Sequence, residues 1–327
     1  MELFESLKQK IQGKQLKLVF PEGDDPRIIG AAVRLQADGL VMPTLLGDAD
    51  AIASAAEKNH FDITSLNVVD PSQMASDQYQ TMVEALVDRR HGKTSPDQAK
   101  EMLKDPNYVG TMMVYMDQMD GMVSGAVHPT GDTVRPALQI IKTKPGVKRI
   151  SGAFIMQKAD QRYVFADCAI NIELDAEGMA EVALESAQTA KIFDIDPRVA
   201  MLSFSTKGSA KGEMVTKVQD ATKLAQQQAP ELPLDGELQF DAAIVPSVGE
   251  KKAPGSKVAG HANVFVFPEL QSGNIGYKIA QRLGGFEAIG PILQGLNKPV
   301  SDLSRGANEE DVYKVSIITA AQALANH

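Results

Sequence analysis

The sequence predicts an α/β fold in two domains. Three observations predict it. Short apolar runs alternate with stretches of helical periodicity along the chain, the pattern of parallel strands covered by helices on both faces. The 327 residues amount to about two domains at roughly 150 residues each. Apolar residues make up 43% of the chain, enough for substantial cores.

The elements follow in order. Leu3, Phe4, Leu7 and Ile11 recur at helical spacing with charges between them, which predicts an amphipathic helix rather than a secretory leader. Residues 16–20 read as a strand and Pro21-Glu22-Gly23 as its exit. Asp25 is placed to cap a helix through Ala37, with Pro26 in its first turn. Further strands are expected at 41–46 and 66–69, each followed by a helix, at 51–58 and 73–90. Ser95 and Gln98 have capping-box spacing on a helix through Leu103. A helix at 108–116, a strand at 121–124 and a helix at 130–141 complete the first half.

The pattern changes near Lys144 to Lys148, the expected cut between domains. Segments 151–156 and 163–166 alternate like a hairpin. Helices are expected at 177–192, 213–228, 272–283 and 308–325. Strands are expected at 199–204, 240–245, 264–267 and 288–293. The connection 246–263 is rich in Gly, Pro, Lys and Ser, and reads either as a mobile loop or as an ordered crossover. No repeat or low-complexity region stands out.

Charge and composition exclude several classes. Lys plus Arg total 33 and Asp plus Glu 42, leaving −9. That argues against an extended nucleic-acid surface, though not against a local basic pocket. Trp is absent, and six Tyr with 11 Phe make a poor base-stacking platform. The one cysteine, Cys168, excludes an intrachain disulfide and a cysteine-built zinc site, and its neighbours read as sheet, so a buried inert thiol is expected. No run approaches the roughly 20 apolar residues of a membrane span. A cytoplasmic location is expected. The five histidines assemble no triad or metal site by spacing.

Several motifs carry polar groups in useful places. Asp302-Leu303-Ser304-Arg305-Gly306-Ala307-Asn308-Glu309-Glu310-Asp311 joins a loop to the last helix. Ser304 offers a hydroxyl, and Arg305 a fork that grips a phosphoryl group. The helix N-terminus adds free amides. The plainer reading has Ser304 or Asn308 as a cap and the acids as an ordinary first turn. Ser124 to Pro136 follows a strand and enters a helix, so Thr130, nearby amides and Arg135 could hold an anion. The plainer reading makes Thr130 a cap and pairs Arg135 with Asp132. Arg89-Arg90-His91-Gly92-Lys93 is a compact basic patch, or simply a solvated helix end. Lys207 to Gly212 lacks the full phosphate-loop pattern, and no complete GxGxxG occurs. In Ser272-Gly273-Asn274-Ile275-Gly276, Asn274 could orient a carbonyl or amide, with capping and tight packing as equal explanations. The motifs together favour a phosphorylated small substrate.

The stretches SGAVHPTGDTVRPALQIIKTKPGVKR, YVFADCAINIELDAEGMAEVA, MLSFSTKGSAKGEM, DGELQFDAA, NVFVFPELQSGNIGYKIAQRLGG and GPILQGLNKPVSDLSRGANEEDVY, taken in this order, resemble the phosphate acetyl/butyryltransferase family. The likeness runs along almost the whole chain, and it is to the short form of the family's phosphate acetyltransferases. The resemblance implies an enzyme that moves an acetyl group reversibly between acetyl-CoA and phosphate, giving CoA and acetyl phosphate, by direct attack in a ternary complex. It implies Asp311 as the group that deprotonates the CoA thiol, Ser304 as oxyanion donor and Arg305 as phosphate ligand. It implies Arg89, Thr130, Arg135 and Asn274 as substrate-binding residues, with Arg90 the competing alignment for Arg89. It calls for no cofactor and no metal, since coenzyme A is a substrate. A homodimer is expected.

The implied architecture is a two-domain, three-layer α/β/α fold resembling that of isocitrate and isopropylmalate dehydrogenases, with an interdomain active-site cleft. The first domain would be 1–147 with 291–327 and the second 148–290. Two departures stand out: Ala307 where relatives carry Cys after the SRG triplet, and His128-Pro129-Thr130 where relatives have HST. Alternatives are a butyryl or other short-acyl transferase, a noncatalytic CoA-binding regulatory protein and an acyl-phosphate hydrolase. A proton-transfer difficulty also stands: an ordinary thiol titrates at about 8.5 and an ordinary aspartate at about 3.9.

Overall fold

The computed structural model describes residues 3–326. The chain divides into two compact units, one running to Thr143 and resuming at Leu296, the other spanning Lys144–Gly295.

The first unit is built on a five-stranded sheet. Its strands are β1 (Lys17–Phe20), β2 (Met42–Leu46), β3 (Asn67–Val69) and β4 (Gly121–Ser124), joined by a strand from far along the chain, Val300–Asp302. That last strand lies beside β4, and the spatial order runs from it through β4, β1 and β2 to β3, all parallel. Leu18, Val19 and Phe20 are fully buried, as a central parallel strand with helices on both faces requires. The helix Pro26–Ala37 starts where expected: the Asp25 carboxylate accepts from the Arg27 amide and proline fills the first turn. Ser95 and Gln98 form the expected capping box on Pro96–Met102.

The final helix, Glu309–Asn326, packs against Pro26–Ala37 and the N-terminal helix Leu3–Ile11. Tyr313 donates its hydroxyl to Asp38 at 2.5 Å. The Arg34 guanidinium lies 4.2 Å from the Tyr313 ring centroid and pairs with Glu309 and Glu310. Burial and the bond to Asp38 both push the Tyr313 phenol up.

The second unit carries six strands. They are β5 (Ser151–Lys158), β6 (Gln161–Ala166), β7 (Val199–Leu202), β8 (Leu234–Leu238), β9 (Val264–Val266) and β10 (Glu287–Gln294); Val300–Asp302 of the first unit is then β11. The order is β10-β5-β6-β9-β7-β8. β5 and β6 form the expected antiparallel hairpin, and β10 pairs antiparallel with β5. The other neighbours are parallel. Phe165 meets Phe265 edge-on at 5.4 Å, and Phe240 and Phe267 pack around this pair. Cys168 is buried, and burial with the neighbouring Asp167 charge pushes its thiol well up, so the inert reading holds.

Several sequence expectations are corrected. Segment 240–245 is not a strand; Phe240–Ile244 is a short helix, and the strand is Leu234–Leu238 just before it. β11 was not anticipated. Helix 130–141 is α-helical only for Thr130–Pro136 and continues as a π turn over Ala137–Ile141. Pro136 has no N–H for the regular ladder. The connection 246–263 opens with a helix, Pro246–Lys252, and is an ordered crossover: Gly249 and Gly260 approach so closely that a Cβ on Gly249 would lie 2.6 Å from the Gly260 nitrogen.

Candidate active site

In a doubly wound parallel sheet, ligands gather at the carboxyl ends of the strands where the chain reverses its direction of travel across the sheet. In the first unit that point lies between β1 and β4, because the chain moves outward from β1 to β3 and then returns to the other side of β1. Three segments leave the sheet there: Pro21-Glu22-Gly23 after β1, Gly125 to His128 after β4, and Leu303 to Arg305 after β11.

Glu22 organises the first two. It is 3% exposed, and its carboxylate accepts the backbone N–H groups of Gly125 (3.1 Å), Ala126, Val127 and His128 (each 2.8 Å). It also meets His128 Nδ1 at 2.7 Å. The anion nest expected from the amides of this motif is therefore filled by the protein's own carboxylate. The turn that makes it needs glycine: Gly125 has φ +106, and a Cβ there would lie 2.5 Å from Asp302 Oδ1 and 2.7 Å from Leu303 N and O.

Arg27 ties the third segment to the second. Its Nη1 donates to the carbonyls of Arg305 and Ala307, both at 2.9 Å, and its Nη2 to the carbonyl of Ala126 at 2.8 Å. Asp25 holds the guanidinium from behind, through Nε at 2.9 Å and Nη2 at 2.7 Å. Burial raises the Asp25 carboxyl, but its bonds from Arg27 outweigh that and hold it below the ordinary range. The Leu303 amide closes the arrangement on the Ser124 carbonyl at 2.7 Å.

The predicted residues fall as follows. Ser304 and Arg305 are exposed at the tip of the clamped loop. Ser304 Oγ accepts the Gly306 amide at 3.3 Å, which leaves its own hydrogen for another acceptor. Asp311 is exposed in the first turn of the last helix; Asn308 N donates to Asp311 Oδ2 at 3.0 Å, and Asp311 N donates to Asn308 Oδ1 at 2.9 Å. Its carboxylate thus takes part in a reciprocal cap. Thr130 is exposed and does not cap its helix, which begins after Pro129 without a side-chain cap. Arg135 is exposed and pairs with Asp132 at 3.4 Å. Arg89 is half-buried: Nε donates to the Ile140 carbonyl at 2.6 Å and Nη2 to that of Ile141 at 3.0 Å, over the Tyr115 ring. Asn274 belongs to the second unit, where its amide donates to the Cys168 carbonyl at 3.1 Å and its oxygen accepts from Lys278.

Sequence reasoning missed four residues here. Glu22 reads in sequence only as part of a strand exit and Arg27 carries no local signal, so only the long-range pairing reveals their work. Asp302 is nearly buried, and burial pushes its carboxyl up; the Thr130 and Thr133 hydroxyls oppose the rise and the Glu22 charge adds to it. Lys142 joins the basic patch, its ammonium lowered by burial and by Arg89, Arg90 and Lys93. A first-unit cavity of about 800 Å³, lined by Val68, Asp70, Met74, Met82, Met113 and Met116 among others, includes none of the predicted residues. Among the described residues there is no His/Cys/Asp/Glu group that could hold a metal ion. No described helix is long and apolar enough to cross a membrane.

Residues 2–320 match the family described as phosphate acetyl/butaryl transferase. The chain belongs to this family. It is 60% identical over 327 residues to a phosphate acetyltransferase of Staphylococcus aureus, covering 99% of both chains. Among solved structures it is similar to a phosphotransacetylase from Staphylococcus aureus, at a TM-score of 0.94 and 60% identity. It is also similar to one from Streptococcus pyogenes, at a TM-score of 0.96 and 58% identity. Each of these alignments covers 98% of both chains. Arg27 thus holds the loop at the Arg305 and Ala307 carbonyls, and Glu22 holds the amides of Gly125 to His128.

Proposed function

We propose that this protein is a phosphate acetyltransferase that moves an acetyl group reversibly between acetyl-CoA and inorganic phosphate, giving CoA and acetyl phosphate. The observation that carries the reading is the 60% identity, along 99% of both chains, to a protein with that activity in its name. The two units are read as the domains of an isocitrate/isopropylmalate dehydrogenase-like fold, with the expected limits of 147/148 and 290/291 moved to 143/144 and 295/296, which keeps β10 whole.

In the direction that consumes acetyl phosphate, Asp311 takes the CoA thiol proton and the thiolate attacks the acyl carbon. Ser304 donates to the developing oxyanion, and Arg305 binds the phosphate. Arg135 and Thr130 assist on the phosphate, Arg89 draws in anionic substrate, and Asn274 binds through its amide. Support for these roles comes from the clamp: Arg27 fixes the backbone at Arg305 and Ala126 together, leaving the Ser304 and Arg305 side chains exposed. Such fixed placement is what orientation-dependent transfer needs.

A homodimer is part of the proposal. Ile275, Ile279 and Leu283 are 55%, 53% and 86% exposed at four-residue spacing on and just after the helix Leu270–Arg282, an apolar stripe that a second copy would cover.

The test is a two-substrate steady-state assay that follows acetyl-CoA loss and acetyl phosphate formation together, repeated with propionyl- and butyryl-CoA. Equal loss and formation with phosphate, and highest kcat/KM for acetyl-CoA, are expected. Butyryl-CoA efficiency equal to or above acetyl-CoA would replace the acetyl assignment. Acetyl phosphate breakdown without CoA would make the protein a hydrolase, and CoA binding without transfer would make it a regulatory binder.

A further inference from the structure

We infer that His128 is a further catalytic residue, the group that moves the proton on the phosphate side of the reaction. The inference rests on the acetyl-transfer reading above and adds a residue to it.

The chemistry requires such a group. Acetyl phosphate is a dianion near neutral pH, and breaking its acyl C–O bond unassisted would expel a phosphate trianion, which is far too basic to leave. The departing oxygen needs a proton. In reverse, hydrogen phosphate must lose that proton to attack acetyl-CoA. Arg305 and Arg135 supply charge but cannot exchange a proton, because a guanidinium stays protonated. Asp311 is assigned to the thiol.

The geometry assigns the tautomer of His128. Glu22 accepts four backbone N–H groups, two on each oxygen, so both oxygens act as acceptors. The hydrogen in the 2.7 Å contact with His128 therefore sits on Nδ1, which donates to Glu22 Oε1. In the neutral ring Nε2 is left with a lone pair. Among the described residues no hydrogen bond occupies Nε2, and the side chain is 30% exposed while the Glu22 side chain beneath it is buried. A buried carboxylate behind one ring nitrogen fixes the ring and supports the imidazolium when the other nitrogen takes a proton.

Position agrees. His128 stands between Ala126, whose carbonyl Arg27 holds, and Thr130, a proposed phosphate ligand. The same guanidinium holds the Arg305 carbonyl. The ring thus projects from the loop bound directly to the one that carries Ser304 and Arg305.

The step balances. When acetyl phosphate is consumed, the CoA sulfur forms a bond to the acyl carbon as the acyl C–O bond breaks. His128 Nε2–H gives its proton to the departing oxygen, making hydrogen phosphate. The thiol proton, taken by Asp311, returns through solvent to recharge His128. In the opposite direction neutral His128 takes the proton of hydrogen phosphate as its oxygen attacks acetyl-CoA.

The test compares the parent with His128→Gln and His128→Ala by steady-state kinetics in both directions, with and without added imidazole. Glutamine keeps a donor for Glu22 but cannot carry a proton; alanine leaves room for imidazole. Four backbone amides still hold Glu22 in either variant, and thermal melting checks the fold. Removal of a general acid–base group typically costs about 100-fold to 10,000-fold. We expect kcat to fall at least about 100-fold in both variants and both directions, phosphate KM to stay within a few-fold, and imidazole to restore His128→Ala but not His128→Gln. A kcat within about tenfold of the parent in either folded variant, or a loss confined to phosphate KM without imidazole rescue, overturns the inference. An inactive parent removes the function reading and this inference together, whereas an active parent with unimpaired variants removes only this one.

Discussion

Asp311 serves two purposes with one carboxylate: it accepts the Asn308 amide in the helix cap and, in the proposed reaction, a thiol proton. Asp311→Asn should lower kcat by more than about tenfold, while the cap, which asparagine can also make, limits the loss of stability to about 1 kcal/mol. Ser304→Ala should lower kcat by about 100-fold to 1,000-fold, the usual cost of one oxyanion donor, with little change in melting because Ser304 is exposed. Arg305→Ala should raise the phosphate KM most. Stopped-assay kinetics beside thermal melts check all three, and unchanged turnover in any of them removes that residue's role. The residues alone left chemistry and simple helix capping both open in this ten-residue motif, and the expected roles came from the family resemblance. The supports of the motif were not legible: Arg27 reaches Arg305 across 278 positions, and nothing local marks that partnership. Asp25 gives the clamp a pH signature. Its carboxyl is lowered in the fold, so its contribution to stability is present above the ordinary value of 3.8 and is lost as pH falls through the lower folded value. The parent should therefore melt above Asp25→Asn at pH 7, with the gap closing in acid below about pH 4; a gap independent of pH would contradict this.

Helices were easier to read than short strands, for a physical reason. A helix announces itself through a repeat and a start signal, as in Asp25-Pro26 and Ser95-Pro96. Removing the Ser95 side chain should cost about 0.5–2 kcal/mol in a denaturant melt, the share of a cap at a helix of seven residues. Strands were legible where both faces are buried, as in β1 and β4. β8 reads Leu-Asp-Gly-Glu-Leu, which lacks β-formers because it is an edge strand with a half-solvated centre. The apolar run after it reads as a strand in sequence, but in Phe-Asp-Ala-Ala-Ile the apolar groups suit one turn of helix equally well. β11 is three residues long and exists only because β4 offers it a partner. At this scale Gly125→Ala should be the most disruptive small substitution near the site, lowering both melting temperature and turnover, since a Cβ would meet the backbone of Leu303.

Across the molecule, the chain leaves the first unit after Thr143 and returns at Leu296, so residues far apart in sequence share one sheet. In the proposed homodimer a second copy covers the exposed Ile275, Ile279 and Leu283 stripe. Ile279→Glu should shift the protein from dimer to monomer in sedimentation at micromolar concentration, and an unchanged mass would move the interface elsewhere. By itself the sequence determined the α/β class, most helices, the hairpin, the inert cysteine and, through resemblance, the family and its reaction. Those properties rest on periodicity, on composition and on motifs contiguous in the chain. Only the tertiary structure decided that Glu22 fills the amide nest, that Arg27 joins the two loops and that His128 has its Nε2 left over. Each depends on a polar group meeting a partner about 100 or more residues away, and local pattern carries no record of such a meeting.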